Sequence, residues 1–232
     1  MPILKPRRDM EKIHIISNSS QPFKDRIEAG RLLAQELKKY GEQDIVVLGI
    51  PRGGMVVADE LARALEADLD IVLSRKLGAP GNPELAIGAV AEGGKLFLHE
   101  VLSGRFSDND YIKKEKAHQL AEIQRRIEHY RVIRPKVKLT GKTVVVTDDG
   151  LATGATMQAA LWAIRQERPK KLIVAVPVAP EDTVRKLADD ADEILVLRTP
   201  MFFAAVGQFY THFGQTDDEE VLSILKNRPT NK

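Results

Sequence analysis

The chain has no cysteine among its 232 residues. Disulfides, thiolate nucleophiles and cysteine-bound zinc are excluded together. Neither sign of charge dominates: 35 Lys and Arg against 33 Asp and Glu leave a formal net charge of +2. Such a balance supplies no field that would recruit nucleic acid or a membrane surface. Long apolar runs are also missing. The longest, around "LIVAVPVAP", is far too short to cross a bilayer. The opening "MPILKPRRDM" holds no apolar stretch of signal-peptide length, so a cytoplasmic location is expected. There is no internal repeat, no low-complexity tract and no G-x-x-x-x-G-K-[ST] phosphate loop.

What is present reads as alternation. The chain is 43% hydrophobic and 29% charged, enough for a core within a single domain. "FKDRIEAGRLLAQELKKYG" carries Ile27, Leu32, Leu33 and Leu37 at helical spacing, with Gly41 as a stop. "DIVVLGI" is a strand running into "PRGG". Ala58, Leu61, Ala62 and Leu65 mark the next helix, and "DLDIVLS" a second strand. "KTVVVTDD", "KLIVAVPVA" and "EILVLRT" are further strands, separated by the helices "TMQAALWAIRQE" and "EDTVRKLADD". Apolar strands alternating with amphipathic helices predict an α/β fold, a central parallel sheet flanked by helices on both faces.

Two regions break the pattern. Residues 75–102 are rich in Gly and Pro, with two short apolar runs around Gly93–Gly94, the signature of a hairpin. This segment is read as a flexible hairpin loop. From Pro200 onward the chain gathers four of its seven phenylalanines and one of its four tyrosines. Residues 200–232, with the N-terminal residues, are read as a small hood or cap over a core of about 23–199. Between them, Asp110 to Tyr130 forms a long helix with Ile112, Leu120, Ile123, Ile127 and Tyr130 on one face. Its charges read as a solvated surface.

The chemistry concentrates in "VVVTDDGLATGAT", Val144 to Thr156. In open α/β sheets, ligands sit beyond the carboxyl ends of the strands. Asp148 and Asp149 take that position. The loop that follows has almost no side chains and opens a helix. Gly154 and its small neighbours let backbone approach a ligand, and N–H groups at a helix start favour phosphate. Thr153 and Thr156 add hydroxyl donors. One end of the stretch attracts an anion while the other offers two. Ribose 5-phosphate has the matching polarity, with its phosphate in the loop and its hydroxyls donating to the carboxylates. A helix cap alone would call for one acid directly before the helix, not two acids several residues upstream.

The stretch resembles the phosphoribosyl-diphosphate motif of type I phosphoribosyltransferases: a hydrophobic strand, two acids, two further positions and a small Thr/Gly loop. "GIPRGG" is similar to that family's pyrophosphate loop, and "SRKLGAPGNPELAIGAV" to its flexible loop. With "FKDRIEAGRLLAQEL" and "AVGQFYTHFGQ", the chain resembles a bacterial subfamily of such enzymes from about Phe23 to Leu225. The sequence departs from the family at two places. Ala152 stands where many members carry an acid before Thr-Gly, and Gly150 replaces an aliphatic residue.

The resemblance implies transfer of a 5-phosphoribosyl group between phosphoribosyl diphosphate and a nitrogenous base, with release of pyrophosphate and with Mg²⁺ as cofactor. It assigns Asp148 and Asp149 to the ribose hydroxyls and the metal, directly or through water. It assigns Gly150, Leu151, Ala152, Thr153, Gly154, Ala155 and Thr156 to the phosphate, and Pro51, Arg52, Gly53 and Gly54 to the pyrophosphate. Arg75 and Lys76 open the flexible loop and complete the cage. Phe202 and Phe203 are the candidates for the base, while Phe209, Tyr210, Phe213 and His212 read as packing. The expected partners are phosphoribosyl diphosphate and a nucleobase or nucleotide, not a membrane or nucleic acid, and a homodimer is compatible. The alternative is a non-catalytic regulator that senses phosphoribosyl diphosphate or a nucleotide on the same fold. A sugar-phosphate phosphatase lacks a nucleophile with a paired base.

Overall fold

A computed structural model describes residues 11–38, 44–99 and 109–228. Its strands are β1 Ile13–Ser17, β2 Ile45–Gly49, β3 Asp68–Ile71, β4 Ser74–Ala79, β5 Asn82–Ala91, β6 Leu96–Leu98, β7 Thr143–Thr147, β8 Lys171–Val178 and β9 Glu193–Arg198. Its helices are α1 Arg26–Leu37, α2 Gly53–Ala64, α3 Asn109–Tyr130, α4 Ala155–Arg165, α5 Glu181–Leu187 and α6 Asp218–Lys226, with a 3₁₀ turn at Val206–Phe209.

Six strands form one sheet in the order β1-β9-β8-β7-β2-β3. Every pairing in it is parallel. Side chains alternate across the sheet, and both faces are buried, which is why these strands read as unbroken apolar runs. Val145 points with Val47 and Ile173 into a core shared with Leu33 of α1 and Met55 and Leu61 of α2. Val144 and Val146 face the other way, onto Met157, Leu161 and Ile164 of α4. Each such side chain contributes roughly 1.5–3 kcal/mol by leaving water.

β1 lies outside the core as the sequence pattern delimits it. It nevertheless adds an edge strand, with Ile13 opposite Ile194 of β9. Residues 75–99 form most of a second, antiparallel sheet, β4-β5-β6. The β5–β6 turn falls at Gly93–Gly94, where Gly94 takes a φ of 72°. This small sheet seats Ala86 and Ala89 against Ala155, Ala159 and Trp162 of α4. Arg131 ties it to the main sheet, forking onto Glu92 at 2.6 and 2.8 Å while also reaching Asp70 at 2.6 Å. The end of the expected flexible loop, residues 100–102, lies outside the described residues, as do residues 1–10 and 229–232 of the expected cap.

The remainder of the cap is sewn to the start of α1. Phe23 N–H donates to Phe209 O, and Thr211 N–H donates to Phe23 O, both at 2.8 Å. Phe23 and Phe209 are fully buried.

Candidate active site

The connections from β2 to β3 run toward one edge of the sheet, and those from β7 through β8 to β9 run toward the other. The reversal lies between β2 and β7, and a crevice opens there beyond the strand ends. "PRGG" follows β2 and "DDGLATG" follows β7, so the two motifs form the opposite walls of this crevice. Ile50 N–H donates to Thr147 O at 2.9 Å and holds the walls together.

The walls touch. A Cβ on Gly53 would lie 2.0 Å from Asp149 Oδ2, and one on Gly54 would lie 2.8 Å from Asp148 Cα. Both glycines are therefore required by the carboxylates across the crevice. The Pro51–Arg52 peptide is cis. Gly150 has an equally local reason. A Cβ there would meet Val206 Cγ1 at 2.7 Å and Val178 Cγ1 at 2.9 Å. The space that an aliphatic residue would occupy is filled by Val206 from the cap.

The helix starts differ in how they are closed. α1 and α6 are closed by Asp25 and Asp217, which accept from Glu28 N–H and Glu220 N–H at 2.8 Å. α2 is preceded by Arg52, α4 by Gly154 and α5 by Pro180, and none of the three supplies a side-chain cap. Gly154 takes a φ of 75°. The one cap-like contact at α4 is long, Ala155 N–H to Thr153 Oγ1 at 3.4 Å. The first N–H groups of α4 are thus available to an anion. Leu151 is buried and anchors the loop, its N–H donating to Val178 O at 2.9 Å. Ala152 is exposed, and its carbonyl accepts from Thr183 Oγ1 at 2.7 Å.

The two acids differ in their partners. Asp149 accepts a 2.8 Å hydrogen bond from Arg26 Nε. Asp148 Oδ1 accepts only from the Asp149 backbone N–H, at 2.9 Å, among the described side-chain contacts. Burial raises the pKa of Asp148 well above the ordinary carboxylate value, and the neighbouring Asp149 raises it further. Burial raises that of Asp149 too, with Arg26 opposing. The pair thus resists carrying two negative charges until a cation or hydroxyl donors arrive. Among the described residues no group of three or more metal-ligating side chains exists. The donor set suits an ion that keeps its waters and takes most of its oxygens from a phosphate ligand.

Cations line the remaining walls. Arg75 and Lys76 share a cleft of about 230 Å³ with Pro51, Thr156 and Arg126. Arg75 Nε donates to Gln119 of α3 at 2.8 Å. Arg52 is exposed and makes no side-chain hydrogen bond or ion pair among the described residues.

The aromatic ring joined to the acids is Tyr210, whose hydroxyl donates to Asp149 O at 2.5 Å. Burial, then Asp149, raises its pKa, so it stays a donor. Phe213 stacks on Tyr210 with centroids 5.0 Å apart, and the Arg26 guanidinium lies 4.0 Å over Phe213. Phe203 is half-buried against Phe209, 4.9 Å between centroids, and Phe202 is exposed.

The phosphoribosyl transferase domain model matches residues 23–210. The chain belongs to this family. A protein recorded in two strains of Mycobacterium tuberculosis, provisionally named a phosphoribosyl transferase, is 46% identical over 204 residues, covering 88% of this chain. The chain spans about half, 46%, of the length of these curated relatives. The crystal structure of TT1426 from Thermus thermophilus superposes with a TM-score of 0.85 at 50% identity, covering 89% of this chain and 98% of that one. Among the described residues no helix is long and apolar enough to cross a membrane.

Arg26 and Tyr210, through their contacts with Asp149, are the additions the structure makes to the site residues read from sequence. Arg26 did carry a signal. It occupies the first helical position of α1, where the helix dipole disfavours a cation, so a carboxylate partner was to be expected.

Proposed function

We propose that the chain is a phosphoribosyltransferase, moving the 5-phosphoribosyl group between phosphoribosyl diphosphate and a nitrogenous base, in the cytoplasm. The observation that carries this reading is the crevice between β2 and β7. It pairs an uncapped, glycine-led helix start with two part-buried carboxylates, backed directly by the glycines of "PRGG". The 5-phosphate takes the N–H groups and hydroxyls of residues 153–156. The ribose hydroxyls donate to Asp148 and Asp149, which relieves the cost of their burial. Arg52, Arg75 and Lys76 neutralise the departing pyrophosphate. Asp148 and Asp149 would hold Mg²⁺, directly or through water, and the ion would supply positive charge to the departing pyrophosphate.

The sugar develops positive charge as pyrophosphate leaves, so the protein's work is to hold the ribose, stabilise the leaving group and exclude water. The base approaches from the cap, where Phe203 is our candidate for stacking. Ala152 places no acid in the phosphate loop, so proton handling at the base falls to another group or to the base itself.

That same alanine supports a second reading, a sensor that binds phosphoribosyl diphosphate without turnover. The test is pyrophosphate release from phosphoribosyl diphosphate and Mg²⁺ with a panel of purine and pyrimidine bases. Release with one class of base is expected. Tight binding of phosphoribosyl diphosphate with no release for any base would replace the enzyme by the sensor.

A further inference from the structure

The described residues hold more positive charge beside the crevice than a pyrophosphate requires. Arg126 of α3 borders two clefts at once. On one side are Pro51, Arg75, Lys76 and Thr156. On the other is a cleft of about 520 Å³ walled by Arg52, Arg125, His129, Tyr130 and Asp218. That size falls within the range of small-ligand sites. Its walls are strongly polar in character: three arginines and a histidine face one carboxylate. That carboxylate is already engaged, since Asp218 Oδ1 accepts from Tyr130 OH at 2.5 Å. Arg125 has a partner outside the cleft, Glu122, at 3.3 Å.

Arg126 is different. It makes no hydrogen bond or ion pair among the described residues. Burial lowers its pKa, and the neighbouring Arg75 lowers it further. Tyr130 and Asp218 oppose this to a lesser degree, and a half-buried guanidinium with like charge beside it and no hydrogen-bonded or ion-paired partner is costly unless an anion joins it. Arg52 is likewise without a side-chain partner among the described residues. From Thr156 through Lys76, Arg75 and Arg126 to Arg52, the donors continue from one cleft into the next. A linear anion longer than pyrophosphate would satisfy them together.

We propose that the cleft between Arg52 and α3 is an anion site for condensed phosphate chains of three or more phosphates, with Arg126 as the shared ligand between it and the crevice. The inference rests on the proposed function only in taking the Arg52 loop as phosphate-binding. Two sources offer this chemistry, inorganic polyphosphate and the tail of a nucleoside triphosphate.

The test is calorimetric titration of the full chain with pyrophosphate, inorganic tripolyphosphate and a nucleoside 5′-triphosphate at one fixed salt concentration. The wild type should bind a triphosphate chain about tenfold or more tighter than pyrophosphate, since bidentate arginine pairing is added. Arg126→Gln should erase that advantage, weakening the triphosphate chain more than pyrophosphate, and Arg126→Lys should restore part of it. An Arg125→Gln/His129→Gln variant, altered only at the outer rim, should show a smaller loss. Preference for the inorganic chain assigns free polyphosphate, and preference for the nucleotide assigns its tail. Equal wild-type affinity for pyrophosphate and both triphosphates overturns the proposal, whether or not Arg126→Gln folds. So does a folded Arg126→Gln that keeps the wild-type preference. Either result, with phosphoribosyl diphosphate binding intact, leaves the proposed function standing. Absence of phosphoribosyl diphosphate binding would overturn that function instead.

Discussion

Arg26 Nε donates to Asp149 Oδ2 at 2.8 Å across 123 residues of sequence. The two side chains are only 11% and 15% exposed. Arg26 also donates to Gly214 O at 2.8 Å and covers the Phe213 ring, so one guanidinium joins the acid pair to the cap.

Arg26→Gln is accordingly expected to lower stability by about 1–3 kcal/mol, because it leaves a part-buried carboxylate without its charged donor. Asp149 then loses the group that opposes its upward shift. Its proton is retained to higher pH, so affinity for phosphoribosyl diphosphate should fall most on the acidic side. Denaturant unfolding and ligand titration across pH measure both effects. A variant with wild-type stability and an unaltered pH profile would show that Arg26 serves only the cap.

Asp148 should trade stability for binding. Its folded-state pKa is raised above 3.8 by burial and by Asp149. A carboxyl raised in this way contributes stability below its unfolded pKa, and that contribution is lost as pH rises through the folded value. At neutral pH the ionised group therefore weighs against the free protein. Asp148→Asn is expected to raise the unfolding midpoint of the free protein at neutral pH, with the gain shrinking on acidification. Together with Asp149→Asn it should weaken phosphoribosyl diphosphate binding, each lost hydrogen bond to a charged group being worth roughly 1.5–3 kcal/mol. Thermal unfolding over a pH series checks the sign. A midpoint lowered at neutral pH would mean that the carboxylate is stabilised by contacts other than those described.

Much of this was legible in the sequence for a physical reason. β2, β7 and β8 are buried on both faces, so they appear as unbroken apolar runs, and the acids and glycines directly follow them. β1 was missed because "IHIIS" is short and sits at the edge, where none of its residues is fully buried. Gly150 was legible only as a departure, since Val206, which fills its space, is far away in sequence. The charges of α3 read as a solvated face because helical spacing reports the apolar side, here Ile112, Ile123 and Tyr130. It cannot report that Arg126 lies against the crevice.

The small sheet should exchange unevenly. β4 and β5 lose regular register at Leu77, Gly78 and Ala79, next to a turn with Gly81 at φ 75°. Farther from the tip, Ala86 and Ala89 pack on Trp162, itself held by Asp190 at 2.7 Å. Backbone amides of residues 78–85 are expected to exchange rapidly in the free protein and to gain protection with phosphoribosyl diphosphate and Mg²⁺, while those of 86–91 stay protected throughout. Hydrogen exchange read by mass spectrometry resolves the two stretches. Identical rates at the tip with and without ligand would make the whole hairpin a static wall.

The last prediction separates the base from the sugar. Phe203 packs on Phe209 in the cap, whereas Phe213 carries Arg26 and through it Asp149. If the base stacks on Phe203, Phe203→Ala removes a contact worth on the order of 1–3 kcal/mol, or about tenfold in affinity for a nucleoside monophosphate. Ribose 5-phosphate, which has no base, should bind as before. Phe213→Ala should behave differently. Losing the ring beneath Arg26 loosens the clasp on Asp149, so nucleoside monophosphate and ribose 5-phosphate should weaken together. Arg52→Ala gives a third pattern, with pyrophosphate and phosphoribosyl diphosphate weakened and the monophosphate spared. Titration of the four ligands against the three variants distinguishes these outcomes. A folded Phe203→Ala with full nucleotide affinity would move the base away from Phe203. A Phe203→Ala that fails to fold would make that ring part of the core, and a selective loss of nucleotide affinity in Phe213→Ala would then place the base on the Tyr210–Phe213 stack.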